Sequence, residues 1–204
     1  MKRKDPTAAL KKAKHSQIGR KSKNKGSAFE RLTGSMLSYW ITGGDRGDLF
    51  SRNVLSGGRF TNAVRNKSAL GVPGDLMAAH PLAFDFLSSF MIECKHYKEL
   101  GIHQYLMDDK GKSFIGSVIN QTADDAAKVG LLWMLVAKQN LFPTLIFLPR
   151  RAFMVALKME SQQLKTHHML HSGMVGMMRF EDFLFGIDPQ KYLKALKAVK
   201  EIEL

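Results

Sequence analysis

A chain with one cysteine cannot close an internal disulfide, and Cys94 is the only one among these 204 residues. A lone thiol fits a reducing compartment. Long apolar runs are missing too. None approaches the roughly 18–20 residues needed to span a bilayer. The opening stretch MKRKDPTAALKKAKHS is basic but has no apolar segment of the kind a secretory signal carries. These absences predict a cytoplasmic protein that is not secreted.

Acid is also scarce. Asp and Glu number 18 against 31 Lys and Arg, for a net charge of +13. The shortage is local: residues 1–26 hold ten basic residues and one acid, Asp5, whereas the remainder holds 21 and 17. Large apolar residues are almost absent from that basic stretch, so it cannot offset the entropy of ordering. Residues 1–25 therefore read as a disordered basic arm. Such blocks commonly bind polyanions, and nucleic acid is the leading candidate, ahead of a solubilising tail or an anionic membrane surface. Lys21, Lys23 and Lys25 are the arm's expected DNA contacts, which would place the protein with the nucleoid.

From residue 27 the composition is that of a globular domain. GSAFERLTGSMLSYWITGG spaces Phe29, Leu32, Met36, Leu37 and Trp40 for a helix, with Ser27 as N-cap and Glu30 completing a capping box. DLFSRNVL (48–55) reads as a strand, and the Gly-rich stretch 56–72 as a loop. DLMAAH and SFMIECKHY read as two more strands with a short connection, followed by loop over 98–112. SFIGSVINQTADDAAKVG predicts a helix ended by Gly130. LLWMLVAK and PTLIFLP predict buried strands, and RRAFMVALKM a further one. Residues 160–178 fit no element. DPQKYLKALKAVKEIEL predicts a helix opened by Asp188 with Pro189 at its first position. The order is α/β or α+β with a mixed sheet.

Charges at strand ends carry the chemistry. Side chains alternate along a strand, so Glu93 and Lys95 share one face. Charged groups are rarely buried unless paired or bound to metal. If the strands at 75–80 and 90–96 pair, Asp75 joins them. Two carboxylates and an ammonium then share a small volume, suited to a hard divalent cation such as Mg²⁺ and to phosphodiester hydrolysis. Lys95 could stabilise developing charge, or hold or deprotonate water if its pKa is lowered. An exposed ion pair at a strand end is the competing reading.

GVPGDLMA with IECK eighteen residues on resembles the PD-(D/E)xK nuclease signature. KGSAFERL resembles that superfamily's first helix, and SRNVLSGGRF a stretch of its Holliday-junction resolvase branch. INQTADDAAKVGLLWMLVAKQNLFPTLIFLP resembles its later helix and last core strands. The four elements keep their order over roughly residues 24–150. The chain departs in one glycine inserted between Pro73 and Asp75, and in the long 56–72 loop. The resemblance implies a restriction-endonuclease-like αβββαβ core over residues 26–160, with 161–204 a C-terminal helical extension. It implies Asp75, Glu93 and the Cys94 carbonyl as ligands of Mg²⁺ or Mn²⁺. Lys95 would hold the attacking water, Glu30 would contact the metal directly or through water, and Gln121 would face the site. Arg31, Arg52, Ser56 and Arg59 join the expected DNA contacts. A resolvase would act on branched DNA as a homodimer.

Rival readings remain for several residues. Glu30 could instead cap its helix, and Gln121 could be solvated. His167, His168 and His171 could ligate a metal or lie on a surface. The stretch from Ser56 to Arg59 could be a phosphate nest or a hairpin. MVGMMRFEDF reads as core or oligomer contact, and Asp124 and Asp125 as surface. For the whole chain, the alternatives are a restriction- or repair-type nuclease on linear or damaged DNA, a non-catalytic DNA-binding protein, and an RNA-associated protein.

Overall fold

A strand with apolar residues on both faces needs a sheet covered on both sides. Strand β4 (Leu132–Gln139) is such a strand, with Trp133 through Ala137 all buried. The computed structural model describes residues 6–53, 74–108, 112–159, 168–171 and 174–202, with side chains over 24–53, 74–108, 112–159 and 174–198. In it, β4 lies inside a five-stranded mixed sheet. β3 (Phe90–Tyr97) runs parallel to β4 at one edge, with Glu93 beside Leu135 and Lys95 beside Ala137. β5 (Thr144–Pro149), β7 (Val175–Arg179) and β6 (His168–His171) follow, each antiparallel to its neighbour. A parallel pair needs a crossover, and the chain between β3 and β4 supplies α3 (Ile102–Leu106) and α4 (Phe114–Ala127). Ser113 caps α4 through Gly116 N–H, and Gly130 turns the chain beyond it at φ +69°.

Each sheet face has its own core. Ile92, Cys94, Met134, Val136, Ile146 and Leu148 face α1 (Pro6–Thr42), α5 (Arg150–Met159), α6 (Phe180–Gly186) and α7 (Pro189–Ile202). Met91, Leu135, Ala137 and Phe147 face α3 and α4. Burying each such large apolar side chain stabilises by about 1.5–3 kcal/mol. Trp40 of α1 fixes the C-terminal helices by donating to Ile187 O at 2.7 Å. Asp188 caps α7 by accepting Lys191 N–H at 2.9 Å.

Several expectations are corrected. The first helix begins at Pro6, so Ser27 lies inside it and cannot be its N-cap. The basic stretch expected to be disordered has a helical backbone from residue 6 onward. Ala, Lys, Leu, Gln and Arg are good helix formers, and extending a helix already anchored at Phe29, Leu37 and Trp40 needs no new nucleus. Residues 150–159 are helical: Ala152, Phe153, Val155 and Ala156 are buried at helical, not alternating, spacing. The 98–112 stretch contains the one-turn helix α3. The expected C-terminal extension begins with β6 and β7, which complete the central sheet, so no boundary falls at 160. The strand at 76–78, β2 (Leu76–Ala78), pairs with β1 (Phe50–Arg52) and forms no ladder with β3. From β2 a 3-10 turn (Pro81–Ala83) and α2 (Phe84–Leu87) lead into β3.

Candidate active site

A strand residue presents its N–H and C=O to the same side, and alternate residues address the same neighbour. At the sheet edge, that leaves Ile92 and Cys94 facing away from β4. Asp75 occupies this side. Its N–H donates to Ile92 O at 2.8 Å, and its Oδ2 accepts Cys94 N–H at 2.9 Å. The Cys94 carbonyl addresses the same edge by the same rule. The carboxylate of Asp75 thus lies along β3 although β2 does not pair with it.

The glycine inserted before Asp75 has a physical role. Gly74 has φ +84°, and a Cβ there would lie 2.6 Å from Ile92 O. Only glycine combines that conformation with so close a backbone approach. Asn53, 2% exposed, holds the other side: its Nδ2 donates to Gly74 O at 2.9 Å and its N–H to Asp75 O at 2.7 Å. Nothing in the sequence marks Asn53, because its partners lie more than twenty residues away.

Glu93 and Lys95 point to the α4 side of β3, as alternation predicts. The Lys95 ammonium donates to the Glu93 carboxylate, and the two side chains keep 28% and 21% of their surface. Burial, then the charge of Asp75, push Glu93 up to about 7, against the pull of Lys95. Asp125 of α4 adds to that push, so this residue, read as surface from the sequence, belongs to the electrostatics of the site. Burial works against the Lys95 ammonium, but the charges of Glu93 and Asp75 outweigh it and raise its pKa. Deprotonation of water by Lys95 needs the opposite shift. The lysine is a fixed cation and donor. Burial, with Asp75 and Glu93 beyond it, raises the Cys94 thiol, which makes this buried side chain inert.

The other candidates are placed differently. Glu30 of α1 is ion-paired with Arg52 of β1, and its charge acts on Cys94 from the α1 side. Among the described residues it makes no bond to Asp75 or Glu93. Gln121 is exposed on α4, one turn before Asp125, and its side chain makes no hydrogen bond among the described residues. Arg31 is exposed, and Lys25 reaches Asn140 across the end of the sheet. Ser56, Arg59 and His167 lie outside the described residues, as do the side chains of Lys21, Lys23, His168 and His171. In the Met-rich stretch Met178, Phe180 and Phe183 are buried core, whereas Met174 is exposed.

Among the described residues no group of three or more His, Cys, Asp or Glu side chains could hold a metal ion. Mg²⁺ requires less, since it commonly takes one or two carboxylates and keeps several waters. Asp75, Glu93 and the Cys94 carbonyl fit that donor set.

A mixed sheet whose edge strand carries Glu93 and Lys95, with Asp75 brought to it by a separate hairpin, defines a restriction-endonuclease-like fold of the nuclease class. The family model described as "Phage putative PDDEXK endonuclease" matches residues 21–194, and the chain belongs to that family. The match runs from the end of the basic stretch into α7, so it includes the strands beyond residue 160. No curated protein and no solved structure matches the chain.

Proposed function

We propose that this nuclease is a divalent-metal-dependent endonuclease that hydrolyses DNA phosphodiester bonds at the edge of β3. The observation that carries the reading is the seating of Asp75 on the Ile92 and Cys94 backbone, beside Glu93 and Lys95. A cation held by Asp75, Glu93 and the Cys94 carbonyl would polarise the phosphodiester and activate water. Lys95 remains an ammonium, so it orients the attacking oxygen and offsets negative charge that builds on the phosphate. Asn53 and Gly74 keep Asp75 in register. Glu30, held by Arg52, can approach the metal only from the α1 side, through water or after that ion pair opens.

The finer reading is a branched-DNA resolvase acting as a homodimer in the cytoplasm, close to the nucleoid. The resemblance of SRNVLSGGRF to the resolvase branch supports it, and the basic N-terminal helix suits outgoing duplexes. Incubation with linear duplex, flap and four-way junction DNA, in Mg²⁺ and in EDTA, tests both levels. Cutting in Mg²⁺ alone, with paired cuts on the junction, is expected. Cutting in EDTA would overturn the metal role. Equal cutting of all three substrates by single nicks would overturn the resolvase subtype.

A further inference from the structure

On the α1 side of the sheet, past the catalytic edge, two ammonium groups and an imidazole converge with no carboxylate among the described residues. His96 follows Lys95 on β3 and points to the opposite face, where its ring lies 5.3 Å from that of Phe29. Lys138 is its register partner on β4. Asn140 follows β4, and its Oδ1 meets both His96 Nε2, at 3.2 Å, and Lys25 Nζ, brought over by α1. Lys138 Nζ donates to Phe142 O. Asn140 thus ties Lys25 to the imidazole, and the β3–β4 register sets Lys138 beside it. Among the described residues no carboxylate bonds to any of these four groups.

The acceptors in this cluster are an amide oxygen and a backbone carbonyl. Neither neutralises charge. An ammonium has three donors, so each lysine keeps protons to give. Some described cations pair with a carboxylate, as Arg52 does with Glu30 and Lys128 with Asp125, whereas Lys25 and Lys138 bond to uncharged oxygens. A tetrahedral anion has enough acceptor oxygens for donors from both lysines and the Asn140 amide.

Position makes that anion a phosphodiester. Two residues of strand, about 6.6–6.8 Å, separate Cys94, whose carbonyl addresses the catalytic edge, from His96. That is on the order of one nucleotide step along a strand. From Lys25, α1 continues outward into the basic stretch that holds Lys21 and Lys23. The cluster thus lies between the catalytic edge and the arm.

We infer that Lys25, Lys138, His96 and Asn140 form a phosphate clamp that grips the DNA backbone beside the linkage being cut. This rests on the nuclease reading and adds to it a positioning role for residues that are not metal ligands. Phosphate contacts fix register without reading sequence, so the clamp sets where along the strand cutting falls.

The test is binding of a short fluorescent duplex in Ca²⁺, followed against salt, for the wild type, Lys25→Gln/Lys138→Gln and Asn140→Asp. Each phosphate neutralised contributes about 0.9 to the log–log slope. The double variant should lower the slope by about that amount, and Asn140→Asp should weaken binding, with both proteins melting like the wild type. Once the wild-type cut is mapped, an uncharged methylphosphonate at the adjacent linkage should weaken wild-type binding and leave the double variant unaffected. An unchanged slope, or an equal methylphosphonate loss in both proteins, overturns the clamp while wild-type cutting leaves the nuclease reading intact. A wild type that neither binds nor cuts DNA overturns both. Free inorganic phosphate competing as well as the duplex would overturn the placement on DNA.

Discussion

Asp75 accepts the backbone N–H of Cys94 through Oδ2 at 2.9 Å. That bond fixes a carboxylate beside the strand that carries Glu93 and Lys95, and leaves its second oxygen for a ligand. The candidate site thus depends on a hairpin held to β3 by a few backbone-directed bonds, not by a ladder.

The Gly74 and Asn53 supports are therefore open to a direct test. Gly74→Ala forces a Cβ into a left-handed conformation and onto Ile92 O, at a cost of about 1–3 kcal/mol. Asn53→Ala leaves Gly74 O buried without that donor, also at about 1–3 kcal/mol. Both variants should melt earlier and need more Mg²⁺ for half-maximal cleavage. A lower melting temperature with an unchanged Mg²⁺ requirement would show that Gly74 and Asn53 do not position Asp75.

Glu93 gives a pH signature. Its pKa in the folded protein is about 7, against 4.5 ordinarily. The folded state therefore binds this proton more tightly than the unfolded one. The destabilising cost is absent below about 4.5, grows as pH rises, and is complete above about 7. In EDTA, Glu93→Gln should gain stability over the wild type progressively across that window, and the gap should level off above it. Thermal melts of the two proteins across the window measure this. A gap that does not change with pH would contradict the placement of Glu93 beside Asp75.

The basic stretch should act on binding rather than folding. Removing residues 1–20 deletes seven basic residues and one acid but keeps Lys25, Phe29, Leu37 and Trp40. The truncated protein should melt like the full chain. Its DNA affinity should fall, with a slope against salt lower by about 0.9 for each phosphate released. A full-length slope after truncation would mean that the stretch does not touch DNA.

The candidate site stood out because Asp75, Glu93 and Lys95 break apolar runs at strand ends, where burial without pairing is costly. β3, β4, β5, α4 and α7 were legible from period and caps. The errors have different physical origins. At 150–159, Phe153 and Val155 suggest a strand, and only the adjacent Ala152 and Ala156 reveal helical spacing. β7 is rich in Met and Gly, and Gly176 is there because a Cβ would strike the Phe153 ring, a contact no local pattern predicts. The basic stretch looked disordered because charge, not helix propensity, dominated its reading. Asn53, Asp125 and His96 depend on partners distant in sequence. Glu30 illustrates the same limit: its helix was foreseen, but its pairing with Arg52 was not.

The most direct measurement is cleavage of supercoiled and junction DNA by Asp75→Asn at saturating Mg²⁺, with Glu93→Gln in parallel. Asparagine can still accept the Cys94 N–H, so the fold should survive and the melting curve should match the wild type. Loss of a metal ligand should cut activity by more than the 10–100-fold that outer partners of a metal site typically cost. Product no faster than the metal-free control is expected for both variants. Cutting by either at the wild-type rate would contradict a catalytic centre at Asp75 and Glu93.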